Sequence, residues 1–132
     1  MTQTSPEGSI TIASRLDFPA TVERLETTIA SHGMTVMARI DHAKGAEAAG
    51  LSLLPTIVLI FGNAKAGTPL MQVNRAVGVD LPLKVLVWRD EHGVTQMTYN
   101  DVGWLAKRYG LSAEVLPFIE KMKQALDQVL KA

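Results

Sequence analysis

The sequence predicts one domain mixing helices and strands, with a sheet that is at least partly antiparallel. Three observations carry the prediction. The run Thr56-Ile57-Val58-Leu59-Ile60-Phe61 sets six β-branched, aliphatic and aromatic residues in succession, which suits a strand covered on both faces. Residues 83–89 and 94–99 are two further strand-like runs joined by the turn Asp90-Glu91-His92-Gly93, the clearest hairpin in the chain. Helical periodicity separates or flanks these runs, so the order reads strand, helix, four strands, helix, with small helices in the connections. Connections of this length also permit parallel crossovers, and residue pattern alone leaves the direction of the remaining strands open.

Each element has a local reason. Residues 1–8 are polar, are broken by Pro6 and Gly8, and are expected to be a flexible N-terminus ahead of a single domain over residues 9–132. Over residues 9–16, Ile10, Ile12 and Leu16 fall on one face and Thr11, Ala13 and Arg15 on the other, a half-buried strand. A helix follows over about residues 19–32, its apolar stripe Val22, Leu25 and Ile29, with Gly33 as its stop. In the strand at 34–40, alternation puts Met34, Val36, Ala38 and Ile40 together. The small residues of 43–50 make about two helical turns, and Pro55 opens the central strand, where its missing N–H is tolerable.

That strand runs into Gly62-Asn63-Ala64-Lys65-Ala66-Gly67, read as a glycine loop, with Thr68 as cap and Pro69 as first residue of a helix over about 69–76. After the hairpin, Asn100 or Asp101 caps a helix over 102–109 that Gly110 closes. The last helix begins around Ser112, or in regular form only from about Pro117. Its stripe comprises Val115, Phe118, Ile119, Met122, Ala125, Leu126, Val129 and Leu130.

Composition narrows function. Thirteen basic and thirteen acidic residues give no net field, which argues against nucleic acid and acidic membrane surfaces as partners. The absence of cysteine removes thiolate catalysis, disulfides and cysteine-ligated metal, and His32, His42 and His92 lack metal-ligand spacing, so no metal and no cofactor is expected. No apolar run approaches a membrane span, and the N-terminus lacks the features of a signal peptide; a cytoplasmic protein is expected.

The glycine loop comes within one residue of a phosphate-binding loop, but Lys65 lies inside it instead of following Gly67, so nucleotide hydrolysis is not expected. What remains are ingredients for a small anion: a helix start, a hydroxyl at Thr68, the ammonium of Lys65 and flexible glycines. Against this stands the plain reading of a tight turn with a capping Thr68. Asp41-His42 at a strand end could serve acid–base chemistry, but adjacent strand residues face oppositely, and a capping Asp41 beside a partly buried His42 is the simpler reading. Tyr99, Asn100 and Asp101 form a polar cluster at another strand end, Trp88 and Trp104 read mainly as core, and the methionines read as core filler.

Pro55-Thr56 through Phe61-Gly62-Asn63, Lys65-Ala66-Gly67-Thr68-Pro69-Leu70-Met71, Asp80-Leu81-Pro82-Leu83-Lys84 and Tyr99-Asn100-Asp101 resemble the bacterial domain-of-unknown-function family 302, over about residues 10–110. Ala64 and Val102 depart from it, each standing where the family pattern carries proline. The resemblance implies an α+β two-layer sandwich: a largely antiparallel five-stranded sheet with helices packed on it, often associated as a homodimer. Antiparallel succession would place Asn63, Lys65 and Thr68 at the same sheet end as Tyr99, Asn100 and Asp101, with Asp41-His42 at the other; a parallel sheet would put Asp41-His42 beside the glycine loop. Three functions follow as expectations. The first is a module binding a small, anionic molecule at Asn63, Lys65, Gly67 and Thr68 with Tyr99 as a wall. The others are a small cofactor-independent enzyme using Asp41/His42 or Tyr99, and a dimeric structural or interaction domain.

Overall fold

The computed structural model describes residues 2–4, 6–111 and 113–131, the first three through their backbone. Its elements in chain order are β1 (Thr2–Thr4), β2 (Ser9–Ala13), α1 (Phe18–Ser31), β3 (Thr35–Asp41), α2 (His42–Ala48), β4 (Thr56–Gly62) and α3 (Ala64–Val73). A 3-10 turn (Arg75–Asp80) leads to β5 (Leu83–Arg89), β6 (Thr95–Asn100) and α4 (Val102–Arg108), and a second (Ala113–Val115) to α5 (Leu116–Lys131). The strands form one sheet in the order β1-β2-β6-β5-β4-β3. Every pairing is antiparallel.

All five expected strands are present, and a sixth joins them. Thr2–Thr4 lies in register against Ile10–Ile12 where a frayed end was expected, because the ladder satisfies backbone groups that β2 would otherwise leave on an open edge. The turn behind it depends on Gly8, whose φ is 83° and where an added Cβ would lie 2.2 Å from a ring carbon of Trp104.

Helices cover one face of the sheet. Ile57, Leu59 and Phe61 of β4, Val85 and Val87 of β5 and Met97 of β6 point to that side and pack with Val22, Leu25 and Ile29 of α1 and with Ile119, Met122, Leu126 and Val129 of α5. Leu59, Phe61, Val85, Val87, Ile29 and Val129 are wholly shielded from solvent. Burial of such aliphatic side chains is the main favourable term in the fold.

The two-sided burial expected of β4 does not hold. Thr56, Val58 and Ile60 on the opposite side remain half-exposed, beside Leu86 and Trp88 of β5. A fully apolar run here marks a sheet with one covered and one open side. Nor is β3 a simple alternating strand. A bulge between Val36 and Ala38 sets Val36 opposite Phe61, Ala38 opposite Ile60 and Ile40 opposite Val58. One extra residue, the exposed Met37, thus sends Val36 to the helical side and Ala38 and Ile40 to the open side, against the single face expected for all of them.

Candidate functional site

The start of α3 is the local structure on which the site depends. The cap is Asn63, not Thr68: Asn63 is extended (φ −148°, ψ 153°) and its side-chain oxygen accepts from the N–H of Ala66 at 2.8 Å. The helix therefore begins five residues earlier than the sequence reading has it, and the supposed loop is its first turn. Asn ranks above Thr as a cap, which favours the earlier start, and the helix tolerates Gly67 and Pro69 in its interior at a cost. Pro69 offers no N–H to the carbonyl of Lys65. The N–H groups of Ala64 and Lys65 have no acceptor within the helix, so two donors still face outward.

This turn forms one wall of a cleft of about 650 Å³. Residues 62–68 contribute that wall, and Met71 continues it along α3. The end of α1 gives His32, β3 and its approach give Met34 and the bulged Met37, and the path into β5 gives Gly78, Leu81, Pro82 and Leu83. The remaining wall is α5, with Phe118, Lys121, Met122 and Ala125 at helical spacings of three and four. The lining is predominantly apolar and contains two lysines and one histidine but no carboxylate. Among the described residues neither Lys65 nor Lys121 takes part in an ion pair within 4 Å.

His32 braces one end. Its Nδ1 donates to the Thr28 carbonyl at 2.8 Å and its Nε2 meets Gln128 Oε1 at 2.5 Å, tying the end of α1 to α5. Chain reversal at that end uses Gly33 at φ 74°.

The antiparallel ladder places Asn63, Lys65 and Thr68 at the sheet end that carries Tyr99, Asn100 and Asp101, with Asp41 and His42 at the opposite end. Asn63, Lys65, Gly67 and Thr68 share the cleft, but Tyr99 does not line it. Tyr99 lies two strands away on the helical side, half-buried, and its hydroxyl is held above its ordinary pKa first by burial and then by the charges of Asp127 and Asp101. Asn100 is exposed, while Asp101 caps α4 through Trp104 N–H at 3.1 Å.

Asp41 caps α2 through Lys44 N–H at 2.9 Å, and His42 is exposed, not partly buried. Asp41 borders a shallower depression of about 490 Å³ that His42 does not line. The residues named for an enzyme therefore share no cleft. No group of three or more His, Cys, Asp or Glu suited to a metal occurs among the described residues. Trp88, expected in the core, lies on the open side of the sheet, where its indole N–H donates to Thr98 Oγ1 at 2.9 Å.

Sequence reading missed the methionines, Lys121, His32 and Phe118 as cleft residues. Met34 and Met37 come from β3 and its approach, Met71 from α3 and Met122 from α5, and no periodicity within a segment announces that they meet. Phe118 and Ala125 sit on the margin of the α5 stripe, which is the one signal available.

No helix among the described residues is long and apolar enough to cross a membrane. The chain is 46% identical over 110 residues to proteins named fluoride-specific ion channel FluC 1 in Brucella suis and Brucella abortus, and these 110 residues cover 82% of it but only 43% and 41% of those proteins. A protein named fluoride-specific ion channel FluC 2 in Brucella melitensis matches at the same identity, with 41% of its length covered. The chain thus spans less than half the length of these curated relatives. A crystal structure of an uncharacterized conserved protein from Bacillus stearothermophilus superposes with a TM-score of 0.82 at 20% identity, covering 95% of this chain and 97% of that one, which establishes the shared α+β fold. The sequence profile described as "Domain of unknown function DUF302" matches residues 10–129. The chain belongs to that family.

Proposed function

We propose that the protein is a small-molecule-binding module whose site is the cleft between α3, α5 and the open end of β3 and β4. The single observation that carries this reading is the clustering of Asn63, Lys65, Gly67 and Thr68 along a cleft of about 650 Å³, within the usual size range of ligand sites. Its walls are predominantly apolar, with polar groups on the α3 turn, Lys121 on α5 and His32 at the end of α1, and its charged groups are cationic. Such a site favours a molecule with negative charge and an apolar body. Catalysis is not part of the proposal, because Asp41, His42 and Tyr99 line no common space.

The names of the Brucella proteins put fluoride among the anions to be tried. Those proteins extend well beyond the region shared with this chain, and channel activity is not proposed for it. The test is native mass spectrometry of the protein isolated from its own cells without denaturation. A bound mass released on unfolding supports the reading; a uniformly unliganded protein, combined with no thermal shift across a broad anion panel, contradicts it.

A second reading, a homodimer, is favoured by the open side of the sheet. Ile40, Val58, Ile60, Leu86 and Trp88 form an apolar surface across three strands. The hydroxyls of Thr11 and Thr98, 2.8 Å apart, satisfy each other while Thr98 also accepts from Trp88. An apolar face whose polar atoms are already paired suits another sheet of the same kind. Sedimentation equilibrium tests it: a dimer that Ile60→Asp converts to a monomer supports the reading, and a wild-type monomer at high concentration opposes it.

A further inference from the structure

We infer that the cleft takes a single-chain amphiphile, a linear alkyl group ending in a carboxylate or phosphate, an inference that rests on the cleft being the binding site. Size is the first argument. About 650 Å³ would hold roughly twenty waters at liquid density, far more space than fluoride, phosphate or acetate fills.

Wall chemistry is the second. Four methionines contribute to the lining, and the unbranched, polarizable thioether adapts to a flexible chain. Planar ring ligands are matched less well, since Phe118 and the His32 imidazole are the rings among the lining and neither tryptophan nor tyrosine joins them. Charge is the third argument. In a chain with equal numbers of acids and bases, this cleft has Lys65 and Lys121 and no carboxylate. Lys121 lies on the same stripe of α5 as Phe118, Met122 and Ala125, so one helix face offers an apolar track with a cation beside it. Lys65 lies on the facing wall in the first turn of α3, where the helix dipole adds to its charge.

Gly67 provides a means of closing the site. It lies inside α3, and an added Cβ would meet Leu81 at 3.7 Å and Met71 at 3.9 Å, ordinary contact distances. A longer side chain there projects into the space an alkyl chain would occupy.

The same chemistry occurs in free alkyl acids and in membrane lipids, so the experiment separates them. Binding to the full chain is followed by calorimetry and thermal shift with decanoate and decyl phosphate below their micelle concentrations, 1-decanol, acetate, inorganic phosphate and sodium fluoride. Co-sedimentation with phosphatidylglycerol-containing vesicles is measured in parallel. Decanoate and decyl phosphate should raise Tm by several degrees and bind at least tenfold more tightly than 1-decanol, with no vesicle capture. Lys65→Gln with Lys121→Gln should weaken decanoate at least tenfold and leave 1-decanol unchanged. Gly67→Leu should abolish both; Ala125→Phe on the opposite wall blocks the cleft independently if Gly67→Leu does not fold.

Equal binding of decanoate and 1-decanol, or vesicle capture that decanoate does not compete, would overturn the inference. Binding of short anions without alkyl acids would overturn the ligand class and leave the cleft as a site. Binding in no arm overturns both the class and the site.

Discussion

Asn63 is the residue whose placement matters most. It stops β4, caps α3 and turns the next residues toward the cleft. Asn63→Ala removes that cap and should cost about 1 kcal/mol in chemical denaturation. Ala64, exposed and first in the helix, stands where the family pattern has proline; its N–H is not needed by the helix, so Ala64→Pro should add roughly 0.4–1 kcal/mol. Two tyrosines give the protein an alkaline limit. Burial chiefly raises the pKa of Tyr99, and the hydrogen bond to Asp80 chiefly raises that of Tyr109, both from an ordinary 10.0. The neutral phenol is thus favoured in the fold. Its contribution is complete below pH 10.0 and is lost as pH rises from there through the higher folded values. Stability followed against pH should fall in that window, and less steeply in Tyr99→Phe. Asp90 works in the other direction. Its pKa is lowered from 3.8, first by Gln96 and also by the His92 and Val94 N–H groups, so its contribution is present above 3.8 and disappears as pH falls below it.

At the scale of elements, the contrast between α1 and α3 explains what the sequence made legible. The α1 helix has an acidic cap at Asp17, a proline at its start, one apolar stripe and a glycine after its end, and these local signals agree. The α3 helix has two caps five residues apart, Asn63 and Thr68; the cap preference favours the earlier one, while Gly67 and Pro69 inside the longer helix favour the later, so the local signals conflict. Tertiary context chooses the earlier, because Leu70 must reach the core and Ala66 pack against it. The bulge in β3 was not legible at all. Nothing in Val36-Met37-Ala38 marks an extra residue, and its cause is the need to keep Val36 over the core while Ala38 and Ile40 follow the open side. Core elements also carry their own test. Ile29 is fully buried where α1 meets the sheet, and Ile29→Ala should cost about 2–5 kcal/mol with a lower denaturation midpoint.

For the whole molecule, the antiparallel sheet does what the family resemblance implied: it separates the glycine-rich end from Asp41 and His42. That separation removes the acid–base pair from the cleft and leaves Lys65 and Lys121 as its charged groups, with His32 at the end of α1. Half of the candidate site was legible, because Asn63, Lys65, Gly67 and Thr68 are consecutive enough to share a turn. The facing wall depends on where α5 lies across the sheet, and no local pattern specifies that packing. The central claim is that this cleft is where a ligand binds, and methionine-methyl NMR tests it most directly. The cleft holds Met34, Met37, Met71 and Met122, whereas Met97 lies in the core on β6 and serves as an internal reference. Titration with decanoate should move the Met71 and Met122 methyl signals saturably and leave Met97 in place. Saturable binding that leaves those two signals unmoved, or shifts Met97 as strongly, would contradict the account.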